Sequence, residues 1–170
     1  MDIIQQLIDF LTQLANNPVS YSIIFYVYCV LAAIILPIPV ELGLFLGDSV
    51  PFLIKALILG AGKATGSVLV FYIGAKVEGP VRFWSKKFNW FAWFVEKMEI
   101  LVAKLKYVGL YIILSIPLMV DTVPIYLWSI FNKEGKALNI GKFALTNFLA
   151  GITRALVVFL VFLAFGVQLV

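Results

Sequence analysis

Long apolar stretches dominate this chain, and the polar breaks between them fall at prolines. From Phe10 through Val40 there is no ionised residue at all. Three further stretches, about residues 56–75, 107–131 and 143–170, each approach the roughly 20 residues that a membrane-spanning helix needs. Each carries one ionised side chain inside it: Lys63, Asp121 and Arg154 respectively. In lipid, backbone groups must be bonded within their own segment or in a closed barrel, so runs this long and apolar predict helices. The expected fold class is all-α, in an integral membrane protein.

Two segments have a different periodicity. Ile3, Ile4, Leu7, Ile8, Leu11 and Leu14 share one helical face, which predicts a short interfacial helix over residues 1–17. This start has no Lys or Arg ahead of the apolar run, a poor match to a cleaved secretory signal, so the first spanning helix is expected to be retained. In residues 80–106, Trp84, Phe88, Phe91, Phe94, Met98, Leu101 and Leu105 recur at steps of three and four. Arg82, Lys86, Lys87, Lys97, Lys104 and Lys106 stand there against Glu96 and Glu99, a net +4 that equals the net charge of the whole chain. Three of the four tryptophans lie there as well, as expected at a headgroup boundary. This predicts one or two amphipathic helices on the membrane surface, on the cytoplasmic side, drawn to anionic headgroups. Because the stripe leads into apolar spans on both sides, a nucleic-acid partner is not expected.

Composition narrows the classes further. With 63% hydrophobic and 13% charged residues and a mean hydropathy of +1.06, the chain is too apolar for an ordinary soluble domain. It has no histidine and a single cysteine, Cys29, so no intrachain disulfide, His-dependent triad or usual zinc ligand set is available. Nor is there a glycine-rich nucleotide loop. An enzyme is not expected, and no cofactor or metal is called for.

The breaks carry the information about function. In "ILPIPVELGLFLG", residues 35–47, Pro37 and Pro39 should end the preceding helix and bring Glu41 with them. Asp48 follows near the rim, and Pro51 marks the far end. The disturbance returns in "LSIPLMVDTVPIYLW", where Pro117 and Pro124 bracket Asp121. After each break comes a small-residue helix with one base, "LGAGKATGSVLVFYIGA" with Lys63 and "FLAGITRALVVFLVFLA" with Arg154. Paired interrupted segments in the two halves of a membrane protein point to an inverted repeat with a site at the midplane. The expected organisation is a single membrane domain: the first repeat over 18–79, a basic aromatic linker over 80–106 and the second repeat over 107–170. A charge at the bilayer centre costs roughly 2.5–3.5 kcal/mol even on lenient scales, so Glu41, Lys63, Asp121 and Arg154 should turn inward and neutralise one another around a polar chamber. The bland readings are that Glu41 sits in interfacial water, that Lys63 and Arg154 snorkel, and that the glycines only pack helices.

"LPIPVELGLFLG" followed by "GAGKATGSVLVFYIGAKVEG" resembles the first half of DedA/VTT-domain membrane proteins, with a proline-rich segment bearing a glutamate and then a glycine-spaced helix, here reaching Tyr72-Ile73-Gly74. The resemblance implies two re-entrant hairpins facing each other and the movement of phospholipids or polyprenyl-phosphates, proton-dependent in some members. On it, Glu41 matches the first-hairpin acid and Asp48 a second acidic position. The family's Arg-Phe-x-Pro-x-x-Arg pattern is absent: Pro117 is present, its arginines are not, and Asp121 stands nearby.

Lipid translocation is therefore the expected function, with Lys63 and Arg154 attracting phosphate, Glu41 and Asp121 holding those bases or taking up protons, and Asp48 nearer the rim of the same site. Two alternatives stand beside it: a proton-coupled exporter of small cations or drugs, and a membrane-organising protein that transports nothing. The expected partners are membrane lipids with anionic headgroups, with self-association into a homo-oligomer allowed. The expected location is a cell membrane, the plasma membrane of a prokaryote, crossed several times.

Overall fold

The computed structural model describes residues 17–35, 39–47, 49–85, 87–132 and 138–165. The interfacial helix expected near the N-terminus, Pro37 of the first break and Asp48 all lie outside them. Among the described residues every regular element is helical.

Helix α1 spans Pro18–Ile34. Asn17 caps it, its side-chain oxygen accepting from the amides of Val19 and Ser20, and Pro18 sits in the first turn, where no intrahelical donor is needed. Its buried residues Tyr21, Phe25, Cys29 and Ala32 or Ala33 recur every turn and form one stripe. α1 ends with Ile35 as its C-cap, and after Pro39 the chain makes a short 3-10 turn over Val40–Phe45.

Helix α2 spans Phe52–Ser85 and α3 spans Asn89–Ser115. α2 keeps Pro80 inside it and runs six residues into the basic region. α3 is bent at Lys106, whose φ of 43° and ψ of −129° are not helical. The basic aromatic segment is thus divided between the end of α2 and the first part of α3, Asn89–Leu105, and Tyr107–Ser115 is the second part of α3. Residues 107–131, long enough for one span, are divided: α3 ends at Ser115, residues 116–121 are irregular, and α4 occupies Thr122–Ile130. Pro124 belongs to the first turn of α4 rather than to the break, since its missing N–H would have had no partner there. Helix α5, Ile140–Ala164, is capped by Asn139 as α1 is by Asn17.

The core is an antiparallel crossing of α2 and α5. Phe52 stacks on Phe159 near one end (centroids 4.6 Å apart), Phe71 meets Phe143 near the other (5.2 Å), and Gly60 lies against Gly151 between them. A Cβ on Gly151 would come within 2.8 Å of the Gly60 Cα, so this close approach requires two residues without side chains. α1 packs on α2 in the same manner, with Gly62 and Gly66 facing Cys29 and Ala33.

Two apolar clusters result. One gathers α1, the 3-10 turn and the near ends of α2 and α5; the other gathers α3, α4 and the far ends of α2 and α5. Lys63 falls between Leu59 of the first and Val70 of the second, and Arg154 between Ala155 and Ala150. Two helical stretches, Phe52–Val81 and Ile140–Ala164, are long and apolar enough to cross a membrane. At 1.5 Å per residue they measure about 45 Å and about 37 Å against a hydrocarbon layer of about 30 Å. The outward faces of both are apolar: Leu57, Leu69, Leu145, Leu149 and Leu160 are all exposed.

Candidate functional site

Four ionised side chains meet where the two apolar clusters join. Glu41, Lys63, Asp121 and Arg154 are each at most 3% exposed. Their ion pairs form a chain: Lys63 Nζ lies 2.9 Å from Asp121 Oδ1, Arg154 Nη2 lies 3.0 Å from that same oxygen, and Arg154 Nη1 lies 3.4 Å from Glu41 Oε1. The Nη2 contact is an ion pair without hydrogen-bond alignment, so the Arg154–Asp121 attraction is mainly coulombic. Two acids and two bases make the group formally neutral, as burial of this depth requires.

The helix breaks supply the remaining partners. α3 stops at Ser115, leaving carbonyls of its last turn without intrahelical donors. One of them, Leu114 O, accepts from both Lys63 Nζ (3.3 Å) and Arg154 Nε (2.8 Å). The negative end of the helix dipole favours cations there. The irregular stretch that follows presents Met119 O to Arg154 Nη1 at 3.0 Å. Leu118 has a φ of 62°, a region that branched and bulky side chains avoid at a cost of about 1–3 kcal/mol, and in that conformation its N–H donates to Glu41 Oε1 at 2.9 Å. Thr122, beside Asp121, donates to Ala32 O near the end of α1 (2.8 Å). Each interrupted segment is therefore tied to the other half, Glu41 to Leu118 and Thr122 to Ala32.

The 3-10 turn that carries Glu41 is clamped from outside the site. The hydroxyls of Tyr21 and Tyr28 donate to Gly43 O (2.6 Å) and Pro39 O (3.0 Å), and Lys55 Nζ lies 3.4 Å from Leu44 O. Such contacts satisfy carbonyls that a broken helix would otherwise leave bare.

Several of these residues gave no sign in the sequence. Lys55, 1% exposed, reads as an interfacial lysine just after Pro51; its spacing of eight from Lys63, two turns on one face, was the available clue. Asn147, fully buried seven residues before Arg154, had the same clue. Its amide donates to Phe143 O, and its Oδ1 has no partner. Glu41 Oε2 and Asp121 Oδ2 are also buried without hydrogen-bond partners. The set has acceptors and donors in one place: two bases suited to an oxyanion, and open carboxylate oxygens suited to a proton. Among the described residues no group of three or more potential metal ligands occurs.

Compared with known proteins, the chain matches no family model, no curated protein and no solved structure.

Proposed function

We propose that this protein is a multi-pass membrane protein that moves lipids between leaflets, its headgroup path running past Lys63 and Arg154. The single observation that carries this reading is the inverted polarity of the molecule, with four ionised residues at its centre and leucines on the outer faces of its long helices. A soluble fold of this size would place charge outside and leucine inside. In a bilayer the arrangement is reasonable, because buried charge at membrane depth marks a path or relay rather than a support. The breaks at residues 39–47 and 116–121 serve as the facing re-entrant segments of two repeats, in keeping with the resemblance to DedA/VTT-domain proteins.

On this reading Asp121 controls the bases. While ionised, it holds Lys63 and Arg154 to one oxygen. Protonated, it no longer neutralises them, and a phosphate headgroup can take its place while the acyl tails stay in lipid. Glu41 steadies Arg154 from the other side. The test is reconstitution of the purified protein in vesicles with a labelled phospholipid. Translocation above the protein-free rate that is lost in Arg154→Gln supports the proposal, and a rate equal to that of empty vesicles ends it.

A second reading, proton-coupled export of a small cation, is favoured by the orphaned atoms. Within the ion cluster two buried carboxylate oxygens lack hydrogen-bond partners (Glu41 Oε2 and Asp121 Oδ2) against one nitrogen, Arg154 Nη2. A site short of donors suits a cargo that brings them. Here Glu41→Gln and Asp121→Asn would abolish activity and Arg154→Gln would be mild, the reverse weighting from lipid movement.

A further inference from the structure

The first part of α3, from Asn89 to Leu105, presents an outward face that the site does not use. Trp90 and Trp93 are 72% and 61% exposed, and Lys97, Ile100, Lys104 and Leu105 are exposed with them, as are Glu96 and, at the bend, Lys106. The opposite face is fixed in the core by Val95 and Val102. The helix therefore lies against the protein along one side and offers tryptophan, aliphatic and lysine side chains on the other. That combination fits a membrane surface rather than another protein: the indoles suit the headgroup boundary, and the lysines suit its negative potential.

This face is joined to the ion cluster by two rigid connections that start from one residue. At Lys106 the helix bends through a backbone conformation (φ 43°) that a lysine rarely adopts. The bend needs Gly109 as well, since a Cβ there would lie 2.5 Å from that of Leu105. The Lys106 carbonyl accepts from Trp128 Nε1 at 2.8 Å, and Trp128, 2% exposed, lies in α4, whose N-terminal boundary is Asp121. In the other direction the second part of α3 runs from Tyr107 to Leu114, whose carbonyl accepts from both Lys63 and Arg154. One bend thus lies between this face and both acceptors, the Leu114 carbonyl along α3 and the Asp121 carboxylate along α4.

We infer that the exposed face of residues 89–105 is a docking surface for anionic phospholipid headgroups, and that its engagement sets, through the bend at Lys106, how Leu114 O and Asp121 hold the two bases. The inference rests on the reading of the chain as a membrane-embedded transporter and adds a regulatory contact to it. Lipid in the surrounding leaflet would then act at a place separate from lipid in the path.

The experiment measures backbone hydrogen exchange of the full chain in nanodiscs of phosphatidylcholine alone and of phosphatidylcholine mixed with phosphatidylglycerol. Anionic lipid is expected to slow exchange several-fold over residues 89–105 and also over 113–122, leaving 18–34 unchanged. Lys97→Gln with Lys104→Gln should remove both responses. Trp128→Phe should keep the first and lose the second, and Lys106→Gly, which relaxes the bend without touching the indole, should weaken the second alone. Indifference of residues 89–105 to phosphatidylglycerol would overturn the inference, and so would a response there with none at 113–122. Because exchange is read rather than translocation, a failed transport assay and a failed docking surface give different results.

Discussion

Lys63 and Arg154, on two helices that cross antiparallel, share two partners: the Leu114 carbonyl, which accepts from both, and Asp121 Oδ1, which accepts from Lys63 and forms an ion pair with Arg154. Neither base can be understood without the other, since removing one changes how the remaining one is neutralised. Asp121→Asn leaves two buried cations facing Glu41 alone and is expected to destabilise by about 3–5 kcal/mol, the usual cost of stripping one partner from a buried pair. Lys63→Met combined with Asp121→Asn should recover part of that loss, because Arg154 retains Glu41. Unfolding in detergent, read as a double-mutant cycle, is expected to give a coupling of at least about 1 kcal/mol. Additive effects would mean that the short distances carry no energy.

Glu41 has two separable duties, accepting from the Leu118 amide and pairing with Arg154. Glutamine preserves an acceptor for the amide and removes the charge; alanine removes both. Glu41→Ala is therefore expected to lose about 1–3 kcal/mol more stability than Glu41→Gln, the cost of leaving a buried donor unpaired. Lipid movement in vesicles should persist in Glu41→Gln, where Lys63 and Arg154 remain. Equal stability of the two would show that the Leu118 bond contributes nothing.

How much of this was legible before folding can be argued from single residues. Asp121, with long apolar flanks, could hardly stay in lipid, and Pro117 gave it a broken backbone to sit beside; both follow from local chemistry. The inward turn of Lys63 and Arg154 follows from the cost of charge in hydrocarbon. What was not legible depends on three-dimensional register. That one carbonyl, Leu114 O, takes two cations is a consequence of where α3 ends relative to α2 and α5, and no local pattern encodes it. The bend at Lys106 is hidden because a lysine rarely adopts a positive φ, and Gly109 three residues on does not by itself say where the helix turns. Pro80 stands inside a long helix that continues past it into the basic segment, which its local chemistry does not announce. Lys55 was missed because a lysine just after a proline also fits an interface.

The glycines provide a test of close packing apart from charge. A Cβ at Gly60 would lie 2.8 Å from the Phe148 carbonyl, and one at Gly151 would lie 2.8 Å from the Gly60 Cα, both backbone atoms that cannot swing aside. Gly60→Ala and Gly151→Ala should each destabilise by about 1–3 kcal/mol, as overpacking does. Gly79, in the same helix as Gly60, has open space around it. Gly79→Ala should stabilise by about 0.5–1 kcal/mol through the lower entropy of the unfolded chain. Thermal unfolding of the three variants in one detergent decides it, and a uniform response would count against the crossing as described.

The path of the two interrupted segments can be tested without knowing the cargo. If residues 39–47 and 116–121 turn back within the bilayer, cysteines placed along each should react with an impermeant thiol reagent from one side of the membrane only. Complete crossings would instead change side along their length. The native thiol must be removed first, and Cys29 is fully buried where α1 faces Gly62, so Cys29→Ala keeps the Cβ that makes this contact. The expected pattern also has a register: positions 41 and 44, at the buried face of the 3-10 turn, should stay protected until the fold is opened by denaturant. Labelling of either segment from both sides would remove the re-entrant geometry and, with it, the enclosed site on which lipid movement depends.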